Sequence, residues 1–156
     1  MTVDAASSRD SAAVYRAFMA ALNAKDLTAA AAVVDTGRYR ENCVGFTKGF
    51  VGWEDAITSL REVWKGIPDL HVELADIESG EQSAIAHGTV RGTNTGRLYG
   101  APATKRTYEV SFFDWVRLQD GLIVERVQQA DVLGQMRQLY GKAFGLVGLG
   151  AMLFRL

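Results

Sequence analysis

The chain has 156 residues, 48% of them hydrophobic and 22% charged, and a formal net charge of −1 at pH 7. The hydrophobic share excludes a disordered chain, and the length suits a single domain. Seventeen Lys and Arg against eighteen Asp and Glu leave no basic excess of the kind that nucleic acid or an anionic membrane selects, so neither is expected as a partner.

In chain order, Ser8, Asp10 or Ser11 can cap a helix that carries Val14, Tyr15, Phe18 and Leu22 at helical spacing and ends near Asn23 to Asp26. An Ala-rich helix, Leu27 to Val34, follows. Tyr39 to Val44 reads as a short polar strand, one alternate pair of which must point inward. Gly45 to Gly52 is a turn. Trp53 to Lys65 aligns Ala56, Ile57, Leu60, Val63 and Trp64 on one helical stripe. Strands follow at Leu70 to Ile77, Ser83 to Gly92, Tyr108 to Leu118 and Leu122 to Gln129, with Asp120-Gly121 as a hairpin turn. Val132 to Leu139 closes the pattern as a helix. Helices first and hairpin-linked strands afterwards predict an α+β fold rather than a doubly wound sheet.

Chemistry concentrates on the Tyr108 to Leu118 strand. One face carries Tyr108, Val110, Phe112, Asp114, Val116 and Leu118, so Asp114 points to the apolar side. A carboxylate there needs a reason, either acid/base chemistry with a raised pKa or a structural ion pair. Across the hairpin the same face is expected to continue onto Leu122, Val124, Arg126 and Gln128, bringing Asp114, Arg126 and Gln128 into one concavity. Cys43, the single cysteine, excludes an internal disulfide and a cysteine-based metal cluster, and reads as a small buried residue. His71 and His87 lack metal-ligand spacing, so no metal is expected. No G-x-G-x-x-G, P-loop or G-x-S-x-G element is present. The start, MTVDAASSRD, lacks a signal-peptide pattern, and the apolar end, KAFGLVGLGAMLFRL, is too short to span a bilayer. A cytoplasmic location is the expectation.

Four segments in register, IPDLHV, GTNTGRLYGAPATKR, QDGLIVE and QADVLGQMRQLYG, make the chain resemble the SnoaL-like polyketide cyclases. These fall within the nuclear-transport-factor-2-like group that also holds ketosteroid isomerases and limonene epoxide hydrolases. The resemblance implies a cone-shaped α+β barrel, with helices packed in a strongly curved, largely antiparallel sheet over residues 1–141. Residues 142–156 would be an apolar tail packed on the barrel or on a dimer partner. It also implies a homodimer through the outer sheet face, where Phe113 and Trp115 lie, and one deep pocket for a hydrophobic polycyclic or aromatic ligand. The reaction implied is a ring-closing aldol step that needs no cofactor.

Two departures bear on the site. The family's acid/base aspartate falls where this chain has Gln128, and a family histidine falls where it has Asp114. Asn94 likewise replaces a histidine of the G-T-H-T-G loop. Asp114 is therefore the expected acid/base residue, with Gln128 beside it in the catalytic pair as a hydrogen-bonding group. Asn42, Tyr39, Arg126, Trp64, Tyr108, Phe112 and His87 are the expected substrate contacts. A non-catalytic binding or carrier module, a hydrolase or isomerase relative, and a structural dimerisation domain are the alternatives.

Overall fold

The structure is a computed structural model that describes residues 10–45 and 48–141. Of the cap candidates it uses Asp10, whose side chain accepts from the Ala12 N–H at 3.0 Å and starts helix α1, Ser11–Ala24. Lys25 ends this helix in the left-handed conformation (φ 56°). Asp26 then caps α2, Leu27–Ala31. This helix stops short of the expected Val34 because the chain there pairs with the sheet: Ile123 N–H donates to Val33 O, and Asp35 N–H to Ile123 O, both at 3.0 Å.

The remaining elements are β1 (Arg40–Val44), α3 (Trp53–Gly66), β2 (His71–Ser79), β3 (Ser83–Thr93), β4 (Thr107–Gln119), β5 (Leu122–Ala130) and α4 (Val132–Tyr140). The strands form one mixed sheet in the order β1-β5-β4-β3-β2. Strands β2 to β5 are antiparallel neighbours, while β1 returns to lie parallel to β5. The sheet does not close, so the expected barrel is an open cone with β1 and β2 at its edges. The expected tail falls outside the described residues. Among those described, no helix is long and apolar enough to cross a membrane.

Strand β4 follows its sequence alternation throughout: Tyr108, Val110, Phe112, Asp114, Val116 and Leu118 are all buried. Asp120 and Gly121 both take positive φ (54° and 72°) and turn directly into β5. There a correction is needed. The ladder runs from Arg117 opposite Glu125 to Leu118 opposite Ile123, leaving Val124 as a bulge. Ile123, not Leu122, therefore joins the inner face, and the expected continuity holds only from Arg126 onward.

Against the inner face α1 packs Val14, Tyr15, Phe18 and Met19 over Ala84, Ala86, Val116, Leu118 and Ile123. A second cluster joins Ile67, Leu98, Tyr108, Val110 and Leu139. The inner row of β3 is small, Ala84, Ala86 and Gly88, and Gly88 is the tightest position. A Cβ there would stand 2.1 Å from the Glu73 carbonyl oxygen and 2.9 Å from the Phe112 ring. Gly88→Ala should thus force strand and ring apart and lower the unfolding free energy by about 1–3 kcal/mol, read from urea denaturation midpoints. An unchanged midpoint would show that β2 yields without cost.

Candidate functional site

Strand register sets two rows of side chains across the sheet. Cys43, Gln128, Asp114 and Ala86 lie in one, and Glu41, Arg126, Val116 and Ala84 in the next. Long side chains reach diagonal neighbours on a sheet, and Arg126 does so. Its Nε donates to Asp114 Oδ2 at 2.7 Å, and its Nη1 to Glu41 Oε2 at 3.4 Å. From α1 the Tyr15 hydroxyl donates to the same Asp114 oxygen at 2.5 Å, and Phe18 places its ring 5.8 Å from the guanidinium. Glu41 also accepts from the Tyr39 hydroxyl and from Cys43 Sγ, the latter at 2.9 Å. Cys43 lies 3.5 Å from Gln128 Oε1.

One cation therefore serves two acids, and the acids respond in opposite directions. Burial pushes the Asp114 carboxyl up, and Arg126 and Tyr15 do not fully offset it. Burial alone would also raise Glu41, but Arg126, Cys43 and Tyr39 together hold it below its ordinary value. The two carboxylates outweigh burial at Arg126 and keep it firmly protonated. Burial, reinforced by the neighbouring carboxylates, raises the Tyr15, Tyr39 and Cys43 groups, so all three stay neutral donors.

This network forms the polar end of a cavity of about 160 Å³. Glu41, Cys43, Arg126 and Gln128 face it, while Met19, Leu60, Val63, Trp64, Ile67 and Leu98 supply apolar wall. Tyr99 stands at the margin, more than half exposed, and meets Ser59 of α3 through their hydroxyls at 3.0 Å. Asn94 shapes the loop that carries Tyr99: fully buried, it donates to the Gly66 and Gly96 carbonyls and accepts from Thr104 N–H. Among the described residues no three His, Cys, Asp or Glu side chains converge to hold a metal.

Of the residues expected from sequence, Arg126, Gln128, Trp64 and Tyr108 line the cavity. Burial raises the Tyr108 hydroxyl to about 12. The others lie outside its wall. Asp114 is buried behind Arg126 and Tyr15 and is not in the cavity wall. Phe112 is core, in van der Waals range of β3 at Gly88. Tyr39 lies behind Glu41, edge-on to Trp53. Asn42 pairs with Val127 on the opposite face, because the inward pair of β1 is Glu41 and Cys43. His87 is on the outer face, stacked on Phe113 with ring centroids 4.7 Å apart. Glu41 is the functional candidate that sequence reasoning missed. Its only signal was the unresolved choice of inward pair in the Tyr39 to Val44 strand.

The opposite shifts give opposite pH dependences. Folded Asp114 keeps its proton where the unfolded chain, with an ordinary value of 3.8, has lost it, so its effect is a fall in stability as pH rises from there. Glu41 contributes stability above its ordinary 4.5 that is lost as pH falls through its lowered value. Asp114→Asn should flatten the decline on the high side, and Glu41→Gln should remove the acid-side loss. Urea denaturation between about pH 3 and 8 reads both; a parallel profile in Asp114→Asn would contradict the assignment.

Comparison with known proteins places this geometry. The sequence profile described as SnoaL-like polyketide cyclase matches residues 12–139. Among solved structures, IdmH, a putative polyketide cyclase from Streptomyces antibioticus, shares the fold at a TM-score of 0.76 and 20% identity, over 84% of this chain and 99% of its own. A putative SnoaL-like polyketide cyclase from a Jannaschia species superposes at 0.77 with 15% identity, over 90% and 99%. TsrD from Streptomyces laurentii is 27% identical at a TM-score of 0.71, over 88% and 98%. No curated protein sequence matches the chain. The profile match spans both clusters of the core and every strand of the sheet, and the chain belongs to the SnoaL-like polyketide cyclase family.

Proposed function

We propose that the protein is a cofactor-independent, cyclase-like enzyme acting by acid/base chemistry on a hydrophobic polycyclic or aromatic ketide. One observation carries this reading: an apolar cavity ends in a carboxylate beside amide and guanidinium donors. The Nε and Nη1 groups of Arg126 are engaged by Asp114 and Glu41, whereas among the described residues Nη2 donates to no acceptor, nor does the Gln128 amide nitrogen. Donors of that kind suit a carbonyl oxygen that gains charge as an enolate forms.

In the proposed sequence Arg126 and Gln128 bind the ketone oxygen, and Glu41 removes the adjacent proton. The enolate carbon then attacks a second carbonyl, forming the ring C–C bond, and Glu41 returns its proton to the new alkoxide. A carboxylate held below its ordinary value is a weak base, so the C–H must be one flanked by two carbonyl groups. Asp114 acts behind the cavity, holding Arg126 in place. A non-catalytic binding module is the second reading. It is favoured by both Glu41 oxygens already accepting hydrogen bonds, from Cys43 on one side and from Tyr39 and Arg126 on the other.

We further propose a homodimer through the outer sheet face. Phe113 and Ile85 are more than half exposed there, beside Trp115 and His87, and a patch of that kind needs cover. Light scattering should give twice the chain mass for the wild type and a monomer for Phe113→Lys; a monomeric wild type would remove the dimer. For the chemistry, incubation with an aromatic polyketide bearing a 1,3-dicarbonyl side chain should yield the ring-closed isomer. Glu41→Gln should lower turnover by about a hundredfold or more with an unchanged circular dichroism spectrum. Stoichiometric binding without product would favour the binding module instead.

A further inference from the structure

We infer that the cavity discriminates by charge, accepting a ligand whose buried head is an uncharged carbonyl and rejecting the same skeleton ending in a carboxylate. The inference rests on the cavity's being the ligand site and adds the charge class of what enters it. Among the described residues lining the cavity, Glu41 and Arg126 are the only charged ones. Arg126 is not an open anion receptor, since Asp114 Oδ2 already sits 2.7 Å from its Nε and Glu41 Oε2 3.4 Å from its Nη1. The Arg126 side chain is 8% exposed and those of Glu41 and Asp114 are 13% and 0% exposed, so water screens the three poorly. A ligand carboxylate would join two acids already bonded to one guanidinium, would lie directly against the Glu41 carboxylate, and would lose its own hydration on entry.

A ketone oxygen meets none of these costs. It accepts from Arg126 Nη2 and the Gln128 amide without adding charge, and its carbon skeleton covers the wall formed by Leu60, Val63, Trp64 and Leu98. Cys43 and Tyr39, held as neutral donors to Glu41, do not compete for it.

Two probes of the same bicyclic skeleton test this, 2-acetonaphthone and 2-naphthoate, titrated calorimetrically into the full chain at neutral pH. The ketone should bind at least about tenfold more tightly than the carboxylate. Glu41→Gln should shift the ratio of naphthoate to ketone affinity towards naphthoate by about tenfold. Gln128→Lys, which adds a cation at the same end, should shift the preference towards naphthoate even if Glu41→Gln fails to fold. Equal binding of the two probes by the wild type, or an unchanged ratio in both variants, overturns charge discrimination while leaving the cavity as the ligand site. Failure of both probes to bind the wild type overturns the inference together with the reading on which it rests.

Discussion

A guanidinium removed from water is tolerable only beside counter-charge, and the arrangement around Arg126 follows from that requirement. Asp114 comes from β4, Glu41 from β1 and Tyr15 from α1, so the hydrogen bonds around one side chain tie the helix layer to three strands. Removing either acid strands part of a buried charge, whereas a fully apolar replacement of the whole set need not be destabilising. The set is therefore better understood as fixing a unique arrangement of the cavity's polar end than as a source of stability. Burial raises Asp114, while Arg126, Cys43 and Tyr39 hold Glu41 down against its own burial, so the two acids move in opposite directions.

Much of the scaffold was legible because it rests on local pattern. The β4 alternation, the Asp120-Gly121 turn and the α3 stripe depend on residues close in sequence, and each took the form its spacing implies. The bulge at Val124 was not legible. Leu122, Ile123 and Val124 are all apolar, so hydrophobicity cannot say which of them leaves the ladder. Nor was the inward pair of β1, a five-residue strand whose partner lies some 85 residues away in sequence. Asp114 shows a third kind of limit. Its inward direction could be read, but whether an inward residue meets a cavity or a helix depends on what packs above it, here Tyr15 of α1.

Asn94 illustrates how a departure from a familiar motif can leave the architecture whole. Its amide bonds to two carbonyls and one backbone N–H, which hold the start of the long β3–β4 connection against the end of α3. Gly96 packs equally close, since a Cβ there would stand 2.0 Å from the Lys65 carbonyl oxygen. The connection is thus pinned at its base while Tyr99 and Gly100, both at positive φ, form its exposed tip. Rigidity and exposure are separated along one short segment, and the exposed part borders the cavity.

The rows of facing side chains have an evolutionary consequence. Cys43, Gln128 and Asp114 occupy equivalent sites on three adjacent strands, about 4.8 Å apart. An acidic group can therefore pass from one strand to the next by two point substitutions, with no insertion and no change of backbone. In this chain the acid of that row, Asp114, lies behind Arg126, and the acid that faces the cavity, Glu41, stands in the neighbouring row. Loss of a carboxylate at one aligned position is then weak grounds for declaring a relative inert, and the two rows together are the proper unit of comparison.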